Sequence, residues 1–340
     1  MSANGSTKVI FAAMAGNTAI AVTKFAAAVY TGSTAMLAEA IHSLVDTTNQ
    51  ALLLFGMKRA ALPADTRHPF GYGKELYFWS FIVAMLLFSL GAGFSIYEGV
   101  EKILHPHPIE SPVVNYVVLF MAILFEGGSF LVALKEFNRS RGATGFMTSI
   151  RSSKDPVLFT VLFEDAAALT GLVIAILGIF IAHQSGIAWV DGATSVVIGL
   201  LLAGVAAFLS RETHGLLIGE AAKPELVAGV REIVENDERS KELGAIRTIN
   251  EIQTLHFGPH DVLVTMSLDF KNTVSAAVVE NAVARFEKAI KERFPEVRRL
   301  FIEVQRHSDH LANKAASGDG GEAEEGKGGE VAAGAGGHDA

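Results

Sequence analysis

The chain has 340 residues, half of them hydrophobic and 19% charged, which is too apolar for an ordinary soluble globule and too charged for membrane helices alone. Cysteine is absent, so disulfides and thiolate metal ligands are excluded and any metal site must use nitrogen and oxygen donors. The net charge of -8 owes much to an acidic C-terminal tail, and nothing points to nucleic-acid binding.

A membrane-spanning helix needs about 20 mostly apolar residues. Six such stretches lie at 9–31, 35–57, 77–101, 112–134, 157–183 and 187–209. The first is too long for a signal core and runs into the second without a small-residue cleavage site, so it is expected to be retained. Ionisable side chains at that depth cost several kcal/mol unless paired, hydrated or bound, which makes each one a candidate.

Span one offers Asn17 and Lys24. In span two, His42 and Asp46 are four residues apart, on one helix face and about 6 Å from each other, close enough to hold one cation from one side. Glu39 and Asn49 extend that stripe, which without a ligand reads as hydrogen-bonded helix packing. Span four carries Glu126 beside Gly127 and Gly128, which let a neighbouring helix approach closely. Span five carries Glu164 and Asp165 in an apolar run, and one of the two is expected to face span two. Asp191 opens span six, where a helix N-terminus favours an acid in any protein. Lys24 and Glu98 have stems long enough to snorkel to an interface.

Lys58, Arg59, Arg67 and Lys74 follow span two, and Lys135, Arg139, Arg141, Arg151 and Lys154 follow span four, whereas the opposite loops hold Lys102. By the positive-inside rule both termini and the even-numbered loops are expected to be cytoplasmic, or on the equivalent side of an organelle membrane. In the first of these loops Asp65 and His68 are spaced to share a metal, while Pro69 to Gly73 equally read as a rigid turn. The predicted organisation is a six-helix transmembrane domain at 1–211 and a cytoplasmic α+β domain at 212–306, with helix 224–235, strands 246–256 and 262–270, helix 275–294 and strand 298–305. Residues 307–340, rich in Gly, Ala and Glu, are expected to form a disordered tail.

The run IHSLVDTTNQALLLFG, the loop RHPFGYGKE, the six spans and the α-β-β-α-β order resemble the cation diffusion facilitator family, solute carrier family 30, over residues 8–306. HPIES, the Glu-Gly-Gly of span four, RSSKDP and LFEDAAALTG resemble its divergent branch that includes member nine, a mitochondrial zinc transporter. The resemblance implies a homodimer that exchanges a divalent metal for protons by alternating access, with the metal held between spans two and five. His42 and Asp46 match the span-two ligand pair. The span-five pattern of two ligands four residues apart is broken, since Ala168 follows Glu164 and Leu169 follows Asp165 at that spacing. One of Asp165 and Glu164 is carried over, with the other acid, Glu126, Asn17 or water completing the shell. A second family site in the first loop would use Asp65 and His68 but meets Tyr72 at its third position. In the metallochaperone-like domain Asn250, Glu303 and Gln305 stand where ligands would, with His256, His260, His307 and His310 nearby.

The expected activity is therefore metal/proton antiport rather than enzymatic catalysis, with zinc as the transported ion, no cofactor, and a lipid bilayer, protons and a second copy as partners. Nitrogen among the ligands shifts preference toward zinc, and ligands that must lose protons to bind metal give a direct route to exchange. The competing expectation is a non-transporting scaffold whose cytoplasmic domain dimerises or binds regulatory partners. Short external loops and an N-terminus poor in Arg favour a prokaryotic inner membrane.

Overall fold

The computed structural model describes residues 3–31, 34–105, 112–141, 145–151, 153–187 and 189–317. Long helices come first: α1 (Ala3–Thr31), α2 (Thr34–Ala60), α3 (Glu75–Leu86) running through a π-helical turn at Leu87–Ala92 into α4 (Gly93–Leu104), α5 (Pro112–Arg141), the short α6 (Phe146–Arg151), α7 (Pro156–Ser185) and α8 (Trp189–Ile218). Among the described residues five stretches are long and apolar enough to cross a membrane, at Ser6–Tyr30, Glu75–Leu104, Tyr116–Arg141, Pro156–Ser185 and Trp189–Ile218. Six were expected. The difference is α2, whose 27 residues include Asp46, Asn49, Gln50, Lys58 and Arg59 and so dilute its apolar run.

Local chemistry sets the helix ends and crossings. Asp155 caps α7 by accepting the Val157 N–H at 3.2 Å, Pro156 occupies the first turn, and Ser6 of α1 donates to the same carboxylate at 2.6 Å. At the far end Gly186, with φ of 69°, closes α7 in the left-handed conformation. α1 packs on α2, α5 and α7, and α4 packs on α8. That second crossing is close because Gly99 and Gly192 face each other: a Cβ on Gly192 would lie 2.6 Å from the Gly99 carbonyl oxygen. Asp191 sits in the first turn of α8, as expected of an acid there, and pairs with Lys102 at 3.2 Å. Glu98 pairs with the same lysine at 3.1 Å.

The second unit contains α9 (Pro224–Glu235), α10 (Glu238–Glu242), β1 (Ile246–Gly258), β2 (Asp261–Phe270), α11 (Ala276–Arg293), β3 (Val297–Val304) and α12 (His307–Ala316). The central β2 runs antiparallel to β1 and parallel to β3. Leu226, Val230, Val264, Leu268, Phe286 and Ile290 join α9, the sheet and α11 in one core. Thus the expected α-β-β-α-β order is present, with α10 and α12 added. α12 corrects the expectation of a tail disordered from residue 307. It buries no residue of its own but is held by polar contacts, Lys314 to Glu251 at 3.0 Å and His310 to Gln305 at 3.2 Å, which a composition argument based on apolar burial does not weigh. Residues 318–340 of that tail, like HPIES at 107–111, lie outside the described residues.

The loop after α2 docks on this second unit. Phe70 stacks on Phe257 with centroids 5.1 Å apart, and Arg299 bonds the Phe70 carbonyl at 2.9 Å while pairing with Asp261 at 2.7 Å. Lys154, just before α7, pairs with Glu220, whose carbonyl accepts the N–H of buried His256 at 3.1 Å. Gly73 lies against the Phe257 backbone, so a Cβ there would sit 2.3 Å from that carbonyl oxygen. Gly73→Ala is expected to part loop and hairpin at a cost of about 1–3 kcal/mol, read as faster amide exchange over residues 61–74 by mass spectrometry. Unchanged protection would show that the contact does not hold in solution.

Burial holds the His256 imidazole below its ordinary value of 6.5, although its bond to the Gly258 carbonyl acts the other way. Because the folded value is depressed, the contribution to stability is complete above 6.5 and is lost as pH falls. The thermal midpoint of the purified protein is therefore expected to drop between pH 7 and pH 5, and to drop less in His256→Gln.

Candidate functional site

α2, α5 and α7 bring buried polar side chains together, with α1 behind them. On α2, Asn49 and Gln50 follow Asp46 by three and four residues, so all three share one face. Asn49 Nδ2 donates to Glu164 Oε1 at 3.3 Å and Gln50 Nε2 donates to Glu164 Oε2 at 3.1 Å. Glu164 is therefore the α7 acid that faces α2. Asp165, one residue and about 100° further round the helix, turns to α5, where Ser129 Oγ donates to its Oδ2 at 2.6 Å. Asn17 Nδ2 of α1 donates to Gln50 Oε1 at 3.4 Å, completing a chain from α1 through α2 to α7.

Asn17, Lys24, Asn49, Gln50, Glu126, Glu164 and Asp165 are all buried. The charge of Asp46 acts on Glu126, Glu164 and Asp165, and Lys24 acts on Glu126, so these groups form one electrostatic cluster. Lys24 thus departs from the expectation that it snorkels: it is buried, and its charge acts on Glu126, whose carboxylate offsets the cost of burying an ammonium. Of the predicted site residues, Asn17, Asp46, Glu126, Glu164 and Asp165 belong to this cluster. His42 lies on α2, and its side chain falls outside the described residues.

Two members were not singled out from the sequence. Gln50 is four residues after Asp46 and Ser129 three after Glu126, so helical spacing from a known acid is the signal that finds them. Among the described residues no three His, Asp or Glu side chains lie close enough together to hold a metal ion. The cluster is instead built of carboxylates met by amides and a hydroxyl. Chemically it is a buried set of oxygen acceptors met by amide and hydroxyl donors.

The other candidates are structural in form. Asp65 accepts the Tyr72 hydroxyl at 2.6 Å and the backbone N–H groups of His68 and Arg67 at 2.6 and 2.9 Å, which makes the segment a turn, and the Tyr72 bond foremost holds its carboxyl below the usual range. In the C-terminal unit Asn250 bonds Ser267 and the Gln305 carbonyl, and His307 contacts Asn250 at 3.0 Å. His310 sits by Glu251 at 3.8 Å, while His256 belongs to the junction with Glu220.

Residues 10–218 match the cation efflux transmembrane domain. The chain is 33% identical to the proton-coupled zinc antiporter SLC30A9, mitochondrial, of Xenopus laevis, over 88% of this chain and 60% of that protein. It is 30% identical to metal tolerance protein C4 of Arabidopsis thaliana, over 82% of this chain and 58% of that protein. It is 25% identical to the cation-efflux pump FieF of Shewanella oneidensis, over 78% and 85%. The chain thus spans about 60% of the length of the first two of these relatives.

Replacing Gln50 by Leu removes one donor to Glu164 and the acceptor of Asn17. The expected loss is about 1–3 kcal/mol for leaving buried polar groups short of partners, seen as a lower thermal midpoint in detergent. Ser129→Ala should give a comparable drop through Asp165. A midpoint unmoved by either change would mean that these bonds do not form.

Proposed function

The chain belongs to the cation efflux family, and from that premise we propose that it carries a divalent metal ion, zinc foremost, across a membrane in exchange for protons. The observation that supports this reading above others is the buried cluster between α2, α5 and α7: carboxylates drawn together inside apolar helices repel one another unless a cation or protons join them. His42 and Asp46 are the proposed α2 ligands. Asp165 or Glu164 supplies α7, with Glu126 and Asn17 in support. The name of the Xenopus relative, a proton-coupled zinc antiporter, agrees with both the ion and the exchange.

In this reading α2 is the sixth span, its polar face turned to the cluster, and both termini are cytoplasmic, in keeping with the Lys and Arg of the loops. The membrane part is 1–211 and the soluble domain 212–306, which joins two copies into a dimer. A prokaryotic inner membrane suits the helical spans, and the Shewanella cation-efflux pump is a bacterial relative. Binding is in competition with protonation at the same nitrogen and oxygen atoms, so metal affinity falls as pH falls.

A non-transporting scaffold is the second reading. It is favoured by the two amide bonds that occupy both oxygens of Glu164, an arrangement that needs no ion.

Proteoliposomes containing a trapped zinc dye and a pH dye separate the two. Transport predicts zinc entry coupled to opposite proton movement, with a His42→Ala/Asp46→Ala double variant reduced to the leak of empty vesicles. Equal flux in the double variant would remove the site assignment, and an absence of flux in the native chain would favour the scaffold.

A further inference from the structure

Asn49 is 1% exposed, and its side-chain carbonyl oxygen, Oδ1, has no hydrogen-bond partner among the described residues. A buried acceptor left unpaired costs about 1–3 kcal/mol, so a group in that state inside a polar cluster calls for an occupant. The orientation of the amide follows from its neighbour. Nδ2 faces the Glu164 carboxylate, the orientation in which the amide donates to an ionised Glu164. Oδ1 is therefore held away from Glu164 and kept as an acceptor. The other amide oxygen nearby, Oε1 of Gln50, already receives Asn17.

The roles of the two α7 acids differ in the same way. Both oxygens of Glu164 accept amide N–H groups from α2, whereas Ser129 engages Oδ2 of Asp165 and leaves Oδ1 outside that bond. The described His, Asp and Glu side chains do not by themselves converge in threes. A neutral oxygen donor would extend the set, and two carboxylates, Asp46 and Asp165, already balance the charge of a divalent cation.

Resting on the transport reading above, we propose that Asn49 Oδ1 is a direct ligand of the transported ion and that Glu164 is a positioning residue which orients the Asn49 amide rather than binding the ion. The α7 motif then lacks a second ligand because α2 supplies the extra donor from its own stripe, three residues after Asp46. An amide oxygen is a hard donor, accepted by zinc and by manganese alike, so this ligand widens the range of ions beyond that of an imidazole-rich shell.

Zinc titration of the purified full chain by calorimetry tests this. Asn49→Ala is expected to weaken Kd about tenfold or more. The exchange Asn49→Asp/Glu164→Gln keeps a donor–acceptor pair between positions 49 and 164 with its polarity reversed, and retains an oxygen at 49, so it is expected to bind within about tenfold of the native chain. Native affinity in Asn49→Ala, or loss of binding in the exchange variant while its size-exclusion profile stays native, overturns the assignment of Asn49 and Glu164. His42→Ala/Asp46→Ala distinguishes the underlying reading: if that variant binds as tightly as the native chain, the site itself is misplaced. If it loses binding while Asn49→Ala keeps it, only the role of Asn49 falls.

Discussion

Everything in the helical part of this protein answers to one constraint, the placement of carboxylates where water does not reach. Glu126, Glu164 and Asp165 are each buried, and Asp46 acts on all three. Such groups repel one another and have lost their hydration, so the fold must supply donors or positive charge. It does so in three ways: amides from α2 to Glu164, a hydroxyl from α5 to Asp165, and the ammonium of Lys24 from α1 beside Glu126. Each partner arrives on a different helix. The cluster therefore specifies how α1, α2, α5 and α7 are arranged, which apolar packing between lipid-facing helices does less sharply.

The same constraint explains what was legible in the sequence. The periodicity and length of apolar runs placed the long helices, and the alternation of Val262 to Phe270 placed the central strand, because those patterns follow directly from burial. His42, Asp46, Glu126, Glu164 and Asp165 stood out because charge inside an apolar run is costly whatever its partners. Gln50 and Ser129 did not, since a neutral polar residue in a helix signals only through its spacing from an acid, and the partners that fix their roles lie 114 and 36 residues away. The choice between Glu164 and Asp165 as the acid facing α2 was likewise open, as adjacent residues differ only in helix rotation. α12 was missed for a related reason. Its contacts are polar, Lys314 to Glu251 across 63 residues of chain and His310 to Gln305 just after β3, and its composition resembles the Gly-rich and Ala-rich stretch that follows.

The loop after α2 shows how one set of residues supports two sequence readings and one structural outcome. Asp65 and His68 have metal-ligand spacing, but Tyr72 and two backbone amides take up Asp65, and the turn so formed presents Phe70 to Phe257. Gly71, with φ of 79°, and Gly73, pressed on the Phe257 carbonyl, are then required by geometry rather than by flexibility.

That docking bears on the site, because both helices that carry it are held at the same end by the same domain. α2 leads into the loop that stacks on Phe257, and α7 begins beside Lys154, which pairs with Glu220 next to His256. Helices transmit displacement along their length because their backbone bonds are internal and stiff. A change in the separation of α2 and α7 at the cluster must then be absorbed either in the Asn49 and Gln50 bonds to Glu164 or at the junction. The former are two long amide bonds of 3.3 and 3.1 Å, while the junction combines an aromatic stack, a Lys–Glu pair and an Arg held by both Asp261 and the Phe70 carbonyl. The junction therefore fixes the ends of α2 and α7 nearest the C-terminal domain, and the Asn49 and Gln50 bonds to Glu164 fix their spacing at the cluster.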